Sequence, residues 1–241
     1  MAFRELEIKF ENEDFNLIGI DEVGRGPIAG PVVACGVSFC GDKAQLRTQL
    51  ENLAILKVTD SKKLNHLKRK KILNTILPKE IFSYKEISYK QKYTLKGDFS
   101  SLSFCLSAKE PSEIERLNIL WASMEAMGDC AKSLSLPGYD IVWVDGNRAP
   151  KNLPLNSKVE TIVKGDEHSL IIGLASILAK EFRDQLMGDY HEQYPEFGFL
   201  KNSGYPTPAH KEALFRFGKT PIHRQSFKSV KEVSKIYESS P

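Results

Sequence analysis

The chain has 241 residues, 41% of them apolar and 27% charged, with a formal net charge of +3. That length allows one sizeable core with room for a small appended unit, and the composition excludes disordered and fibrous classes. The mild charge permits a nucleic-acid partner without requiring one, and no stretch reaches the roughly 18 apolar residues of a membrane span.

The opening "MAFRELEIKFENED" alternates charged and apolar residues and lacks the apolar core of a signal peptide. No internal repeat or low-complexity tract follows. Cys35, Cys40, Cys105 and Cys130 show neither C-x-x-C pairing nor zinc spacing. They read as reduced thiols in a cytosolic protein, so a cytoplasmic location is expected.

In chain order, Leu6 to Phe10 and Leu17 to Ile20 are strand material. After the glycine turn, "PVVACGVSF" is β-branched, so the opening predicts a hairpin. "KAQLRTQLENL" is helical. Asp60 or Ser61 is placed to cap a basic helix over about Leu64 to Leu77. Residues 81–108 alternate in "IFSYKEISY" and "LSFCLSA", which predicts two strands around the turn "KGD". "EPSEIERLNILWASMEAMGDCAKSL" carries one amphipathic stripe, with Ser112 and Glu115 at capping-box spacing. "YDIVWVDGN" and "KVETIVKGD" are short strands, and "HSLIIGLASILAKEFRDQLMGDYHEQY" is a long helix. Hairpin strands followed by β-α-β-α imply an α/β fold with a partly parallel sheet. From about residue 190 the chain turns rich in Gly, Pro and aromatics, with eight basic against five acidic side chains. A small helical subdomain is expected over 190–241, after a main domain over 1–189.

Acids cluster where strands end. Asp21 and Glu22 follow one strand, Asp145 ends a second and Asp166 ends a third. In an open α/β sheet such ends lie side by side, and chemistry collects there. Carboxylates crowded together repel unless something offsets the charge, and a pair of divalent cations would. Oxygen ligands suit Mg²⁺ or Mn²⁺. The competing reading is that each acid is a solvated strand end. Adjacent strand side chains face opposite ways, so Asp21 and Glu22 share one site only if the strand bends, as the following glycines allow.

"GRGPIAG" lacks the Gly-Lys-Ser/Thr of a P-loop and the spacing of G-x-G-x-x-G. It is a hairpin turn, or a place where Gly24 and Gly26 let the backbone approach a sugar-phosphate, with Arg25 as a donor. "DSKKLNHLKRKK" is by spacing alone a solvated helix face. Yet Ser61, Lys62 and Lys63 precede the helix, where amides and cations hold phosphate. "SGYPTPAH" is a stiff turn whose Tyr205 can stack on a sugar or base.

Taken together, "GIDEVGRGPIAGPV", "DSKKL", "EIERLNILWASMEAM", "VDGN", "VKGD", "ASILAKEFRD", "GYPTPAH" and "PIHRQSF" resemble the bacterial-type ribonuclease HII family, in the family's order from residue 18 to about 227. The resemblance implies an RNase H-like fold: a central mixed sheet flanked by helices, with a C-terminal helical extension that binds substrate. It implies hydrolysis of the RNA strand of RNA–DNA hybrids, and cutting 5′ of single ribonucleotides in duplex DNA, with 3′-hydroxyl and 5′-phosphate products. A place in ribonucleotide excision repair and DNA replication goes with that activity. The implied metal ligands are Asp21, Glu22, Asp145 and Asp166, holding two Mg²⁺ or Mn²⁺ ions. Gly24, Arg25 and Gly26 would meet the ribose 2′-hydroxyl. Asp60, Ser61 and Lys62, with Lys63 adjacent, would meet a phosphate. Tyr205 would pack on the sugar at the RNA-to-DNA junction. Ser176, Lys180 and Asp184 match supporting positions. No membrane or dedicated protein partner is implied. Leu170, Ile171 and Ile172 are bulkier than is common in relatives. The stretch from about Pro78 to Leu102 looks longer, and the segment before Leu17 falls outside the resemblance. The rivals are another nuclease on this fold, such as a resolvase or integrase-like enzyme, and a catalytically silent hybrid-binding protein.

Overall fold

A computed structural model describes residues 15–78, 83–137 and 140–238. The strand expected over Leu6 to Phe10 lies outside them. The architecture is an α/β sandwich around a six-stranded mixed sheet ordered β3-β4-β2-β1-β5-β6. Strand β1 (Phe15–Val23) pairs antiparallel with β2 (Val32–Gly41), which gives the expected hairpin. On its other side β1 pairs parallel with β5 (Asp140–Asp145), and β5 pairs parallel with β6 (Ser157–Ile162). Strands β4 (Leu102–Lys109) and the two-residue β3 (Tyr93–Thr94) complete the antiparallel side.

Strand β1 is buried continuously from Asn16 to Asp21, as a central strand covered on both faces must be. Leu17 faces one core layer, with β2 residues Val37 and Phe39. Against that layer lie α1 (Lys43–Ile55), α2 (His66–Ile76) and the long α6 (Leu170–Gln193). Ile18 and Ile20 face the opposite layer, with Met127, Cys130 and Leu134 of α4 (Ile119–Leu134). The bulk of Ile171 and Ile172 is accommodated at Gly19. A Cβ there would sit 2.8 Å from Ile171 Cγ2, so the missing side chain lets α6 lie directly on β1.

Four local expectations are corrected. The described part of "IFSYKEISY", residues 83–89, is not a strand: a 3-10 turn occupies Tyr84–Glu86, and β4 finds its partner only at Tyr93–Thr94. The helix expected over 110–134 is two helices, α3 (Pro111–Leu117) and α4, broken at Asn118 with φ of 63°. Its side chain accepts from the amides of Leu120 at 3.0 Å and Trp121 at 3.2 Å, so one residue ends α3 and caps α4. The capping box is Glu110 with Glu113, not Ser112 with Glu115, because Pro111 takes the first helical position. Asn65 caps α2, while Asp60 caps the preceding 3-10 turn Ser61–Lys63.

Short α5 (Gly165–His168) precedes α6, which runs through residue 190. Beyond it come a 3-10 turn at Pro195–Phe197, then α7 (Phe199–Asn202), α8 (Pro208–Phe217) and α9 (Lys228–Glu238). Phe197, Phe199, Leu214, Ile222 and Val230 bury there, together with Ile28 and Ala29 of the glycine turn. Among the described residues no helix is long and apolar enough to cross a membrane.

Candidate active site

Asp21 and Glu22 do not follow the first strand but lie within β1, still paired with Cys35 and Ala34 of β2. The parallel register pairs Ile20 with Val144, so the next step sets Asp21 beside Asp145, the last residue of β5. Asp21, Glu22 and Asp145 each offer one carboxylate oxygen, and these oxygens lie within 4.8 Å of one another. Both neighbours on β1 therefore reach one site. The chain leaves the strand at Gly24, whose φ is 96°.

Burial pushes the Asp21 carboxyl well above the usual range, and the charges of Glu22 and Asp145 push it further. The polar hydroxyl of neighbouring Ser176 opposes them. Glu22 rises to about 7, chiefly through burial, although Arg25 works against the shift. The Arg25 contact is a 3.3 Å pair with a half-exposed guanidinium. The cluster is thus largely buried and crowded, and oxygen ligands are all it offers. That donor set fits a hard divalent cation, which would reverse each of these penalties.

Asp166 is not the last residue of β6. It is the second residue of α5, beyond a turn at Val163–Lys164, and it stands outside the three-oxygen group. The Gly165 amide donates to Asp145 Oδ1 at 2.6 Å and seats α5 against the end of β5. Asp166 rises to about 6, through burial first, then the charges of Asp145 and Asp60 and a hydrogen bond with Asp60. The fourth acid therefore flanks the trio and joins it to the Asp60 loop.

In that loop the Asp60 carboxylate accepts from the Lys62 amide at 2.9 Å. Ser176 Oγ lies 2.9 Å from Ser61 Oγ, so α6 touches both the loop and Asp21 through one hydroxyl. Burial works to lower the Lys62 ammonium, but Asp60, Asp166, Asp21 and Asp145 outweigh it and raise it. Lys62 thus faces the four aspartates, whereas Lys63 pairs with Glu167 at 2.8 Å. Lys180 and Asp184 pair at 2.6 Å, beneath the loop and apart from the three-oxygen group. Arg69 fixes that underside: Nε meets Glu181 at 2.5 Å, Nη2 meets Asp184 at 3.4 Å, and Nη1 donates to the carbonyls of Ser61 and Leu64. Sequence reading singled out neither Arg69 nor Glu181. One was a member of a basic run and the other of a long helix, and only packing shows that both are buried.

On the opposite flank, a Cβ on Gly26 would sit 3.1 Å from Tyr205 Cε1, so the half-exposed tyrosine ring lies directly on the glycine turn. A cavity of about 270 Å³ opens between Glu22, Asp145, Arg25 and Arg148. The cavity thus lies between two of the acids and the glycine turn, with the Asp60 loop reaching the acids through Asp166 and Lys62, and Tyr205 resting on the turn.

A family model described as Ribonuclease HII matches residues 18–230. The ribonuclease HII of Chlorobium phaeobacteroides is 40% identical over 210 residues, covering 87% of this chain and 88% of that protein. Among solved structures, the ribonuclease H2 of Pyrococcus horikoshii OT3 aligns with a TM-score of 0.68 at 25% identity, covering 94% of this chain and all of that one. Bst-RNase HIII in complex with Mn²⁺ aligns with a TM-score of 0.63 at 16% identity, covering 94% of this chain and 71% of that one.

Proposed function

The chain belongs to the ribonuclease HII family, and from that premise we propose that it cuts on the 5′ side of ribonucleotides, including single ones embedded in duplex DNA. The coarse activity follows from membership: it is a ribonuclease H, a hydrolase that acts on RNA–DNA hybrids. The observation that carries the finer reading is the meeting of Asp21, Glu22 and Asp145 beside the Gly24–Gly26 turn and Tyr205.

In this reading Asp21, Glu22, Asp145 and Asp166 hold two divalent cations, Mg²⁺ or Mn²⁺. Ions held there would supply Lewis acidity, lowering the pKa of an attacking water and offsetting charge on the departing 3′-oxygen. The products are a 3′-hydroxyl and a 5′-phosphate. Histidine has no place in the scheme. The Mn²⁺ in the HIII relative's structure supports a metal requirement of this kind. The backbone of Gly24, Arg25 and Gly26 reads the 2′-hydroxyl, the one group that separates a ribonucleotide from its neighbours. Donors committed to that hydroxyl are left unpaired by deoxyribose, a penalty of the kind that gives roughly 10⁴-fold discrimination. Asp60, Ser61 and Lys62 hold a neighbouring phosphate, with Lys63 at the loop's edge. Tyr205 packs on the sugar following the ribonucleotide, and residues 190–241 serve as the extension that carries it. Ser176 steadies Asp21 and the Asp60 loop together, and Lys180 and Asp184 brace the loop from below.

One assay tests this. A duplex with a single ribonucleotide, its all-DNA twin and a continuous hybrid are each incubated with Mg²⁺ and with chelator. Cleavage of the first and third alone, 5′ of the ribonucleotide and only with metal, is expected. Cutting of the all-DNA twin would point to another nuclease on this fold, and binding without cutting to a silent hybrid-binding protein.

A further inference from the structure

The "PIHRQSF" segment enters the scheme above only as part of the extension, yet its Arg224 is fully buried, as is Arg183 of α6. Among the described residues neither forms an ion pair. Buried cations need strong partners, and here the partners are backbone carbonyls: those of the glycine turn and, for Arg183, also that of Ser203 at 3.0 Å. Arg224 donates to the carbonyls of Gly24 at 2.6 Å, Arg25 at 3.2 Å, Pro27 at 2.7 Å and Gly30 at 2.9 Å. Arg183 donates to those of Ala29 at 3.3 Å and Pro31 at 3.0 Å. The Arg224 amide takes the carbonyl of Ile28, and the Ile222 carbonyl takes the amide of Gly30.

The turn is therefore polarised. Its carbonyl side is nearly saturated, whereas no acceptor among the described residues meets the amides of Gly24, Arg25 or Gly26. A carbonyl and the following amide belong to one peptide group. A guanidinium on the carbonyls of Gly24 and Arg25 thus strengthens as donors the N–H groups of Arg25 and Gly26.

The residue beside Arg224 acts on the other substrate-facing element. The Thr220 amide donates to His223 Nδ1 at 3.0 Å, so His223 Nε2 carries the proton. It donates to His210 Nε2 at 3.1 Å, and His210 Nδ1–H donates to the carbonyl of Tyr205 at 2.8 Å. Residues 222–224 thereby anchor the glycine turn and the Tyr205 loop to one another.

We propose that Arg224 is a positioning residue for ribose recognition: it aims and polarises the Arg25 and Gly26 amides, while neighbouring His223 holds Tyr205 against the same turn. The proposal rests on the assignment of that turn to the 2′-hydroxyl. It is tested by binding, without divalent metal, of a duplex with one ribonucleotide and of its all-DNA twin. Wild type should prefer the former. Arg224→Lys keeps the charge but cannot span four carbonyls, so the ratio of the two dissociation constants should fall about tenfold while affinity for the twin stays within about threefold. A ratio is insensitive to the folded fraction, so a merely structural role would not move it. An unchanged ratio beside a discriminating wild type overturns the proposal alone. A wild type without preference overturns the assignment of the turn and the proposal with it. Should the variant fail to fold, amide order parameters in substrate-free wild type decide. Values near 0.85 at Arg25 and Gly26 are expected, and values below about 0.6 overturn the clamp.

Discussion

Asp21 sits at 6% exposure with two carboxylates against it, an arrangement in which folding works against function. Burying a charge beside like charges is unfavourable until a cation arrives. Asp21→Asn should therefore lower cleavage at least about a thousandfold while leaving the melting temperature in chelator unchanged or higher, because the amide carries no charge to repel. Calorimetry beside a cleavage assay checks this, and a variant that melts much lower in chelator would refute the account of strain. His223 presents the opposite case, a neutral group kept neutral. Burial holds it down to about 3, and burial likewise lowers His210. The unfolded chain has a histidine value near 6.5, so below that pH it binds protons that the folded chain refuses. The stability contributed is complete above about pH 6.5 and is lost as pH falls toward 3, at up to about 1.4 kcal/mol per pH unit per histidine. Urea titrations of wild type and His223→Gln should therefore converge between about pH 7 and pH 5, and a constant gap would exclude the neutral relay. Neither behaviour is visible in the residue names, since burial and partners determine both.

Among the elements, the break between α3 and α4 shows what periodicity misses. The apolar stripe runs on through "EIERLNILWASM", and nothing in its spacing marks Asn118. Its backbone, with φ of 63° and ψ of 163°, lies where glycine is favoured, and its side chain caps α4. Asn118→Ala should cost about 1 kcal/mol by losing the cap, whereas Asn118→Gly should cost a few tenths at most because strain is relieved. Urea midpoints check the order, and glycine proving worse than alanine would contradict it. Glu115, expected in a capping box, instead accepts from the Ser226 amide at 3.0 Å and tethers the segment after Arg224 to α3. Long elements such as the β1–β2 hairpin and α6 were readable because each is a sustained apolar run, β-branched in the strands, bounded by turn residues. "IFSYKEISY" was not, because alternation without a partner strand makes no ladder.

At the scale of the whole molecule, the cleft exists because the parallel β1–β5 pairing brings together acids 124 residues apart in sequence (Asp21 and Asp145). A cation bound there engages the folded chain alone, so it stabilises by mass action. At a hundredfold excess over the dissociation constant the gain is about 2.7 kcal/mol, several degrees in a chain of this size. Mg²⁺ should raise the melting temperature of wild type but not of Asp21→Asn; an equal rise in both would place the bound metal elsewhere. Legible in the residues alone were the α/β class, the hairpin followed by parallel strands and the order of the motifs, with Asp21, Glu22, Asp145 and Asp166 as candidate acids. These follow from local periodicity and residue chemistry. Only the tertiary structure decided that Asp166 stands on a helix beside three converging carboxylates. It alone showed that Arg69 supports the Asp60 loop, and that Arg224 and Arg183 saturate the carbonyl side of the glycine turn. Those are contacts between residues distant along the chain, and burial, which sets their strength, is a property of the packed molecule.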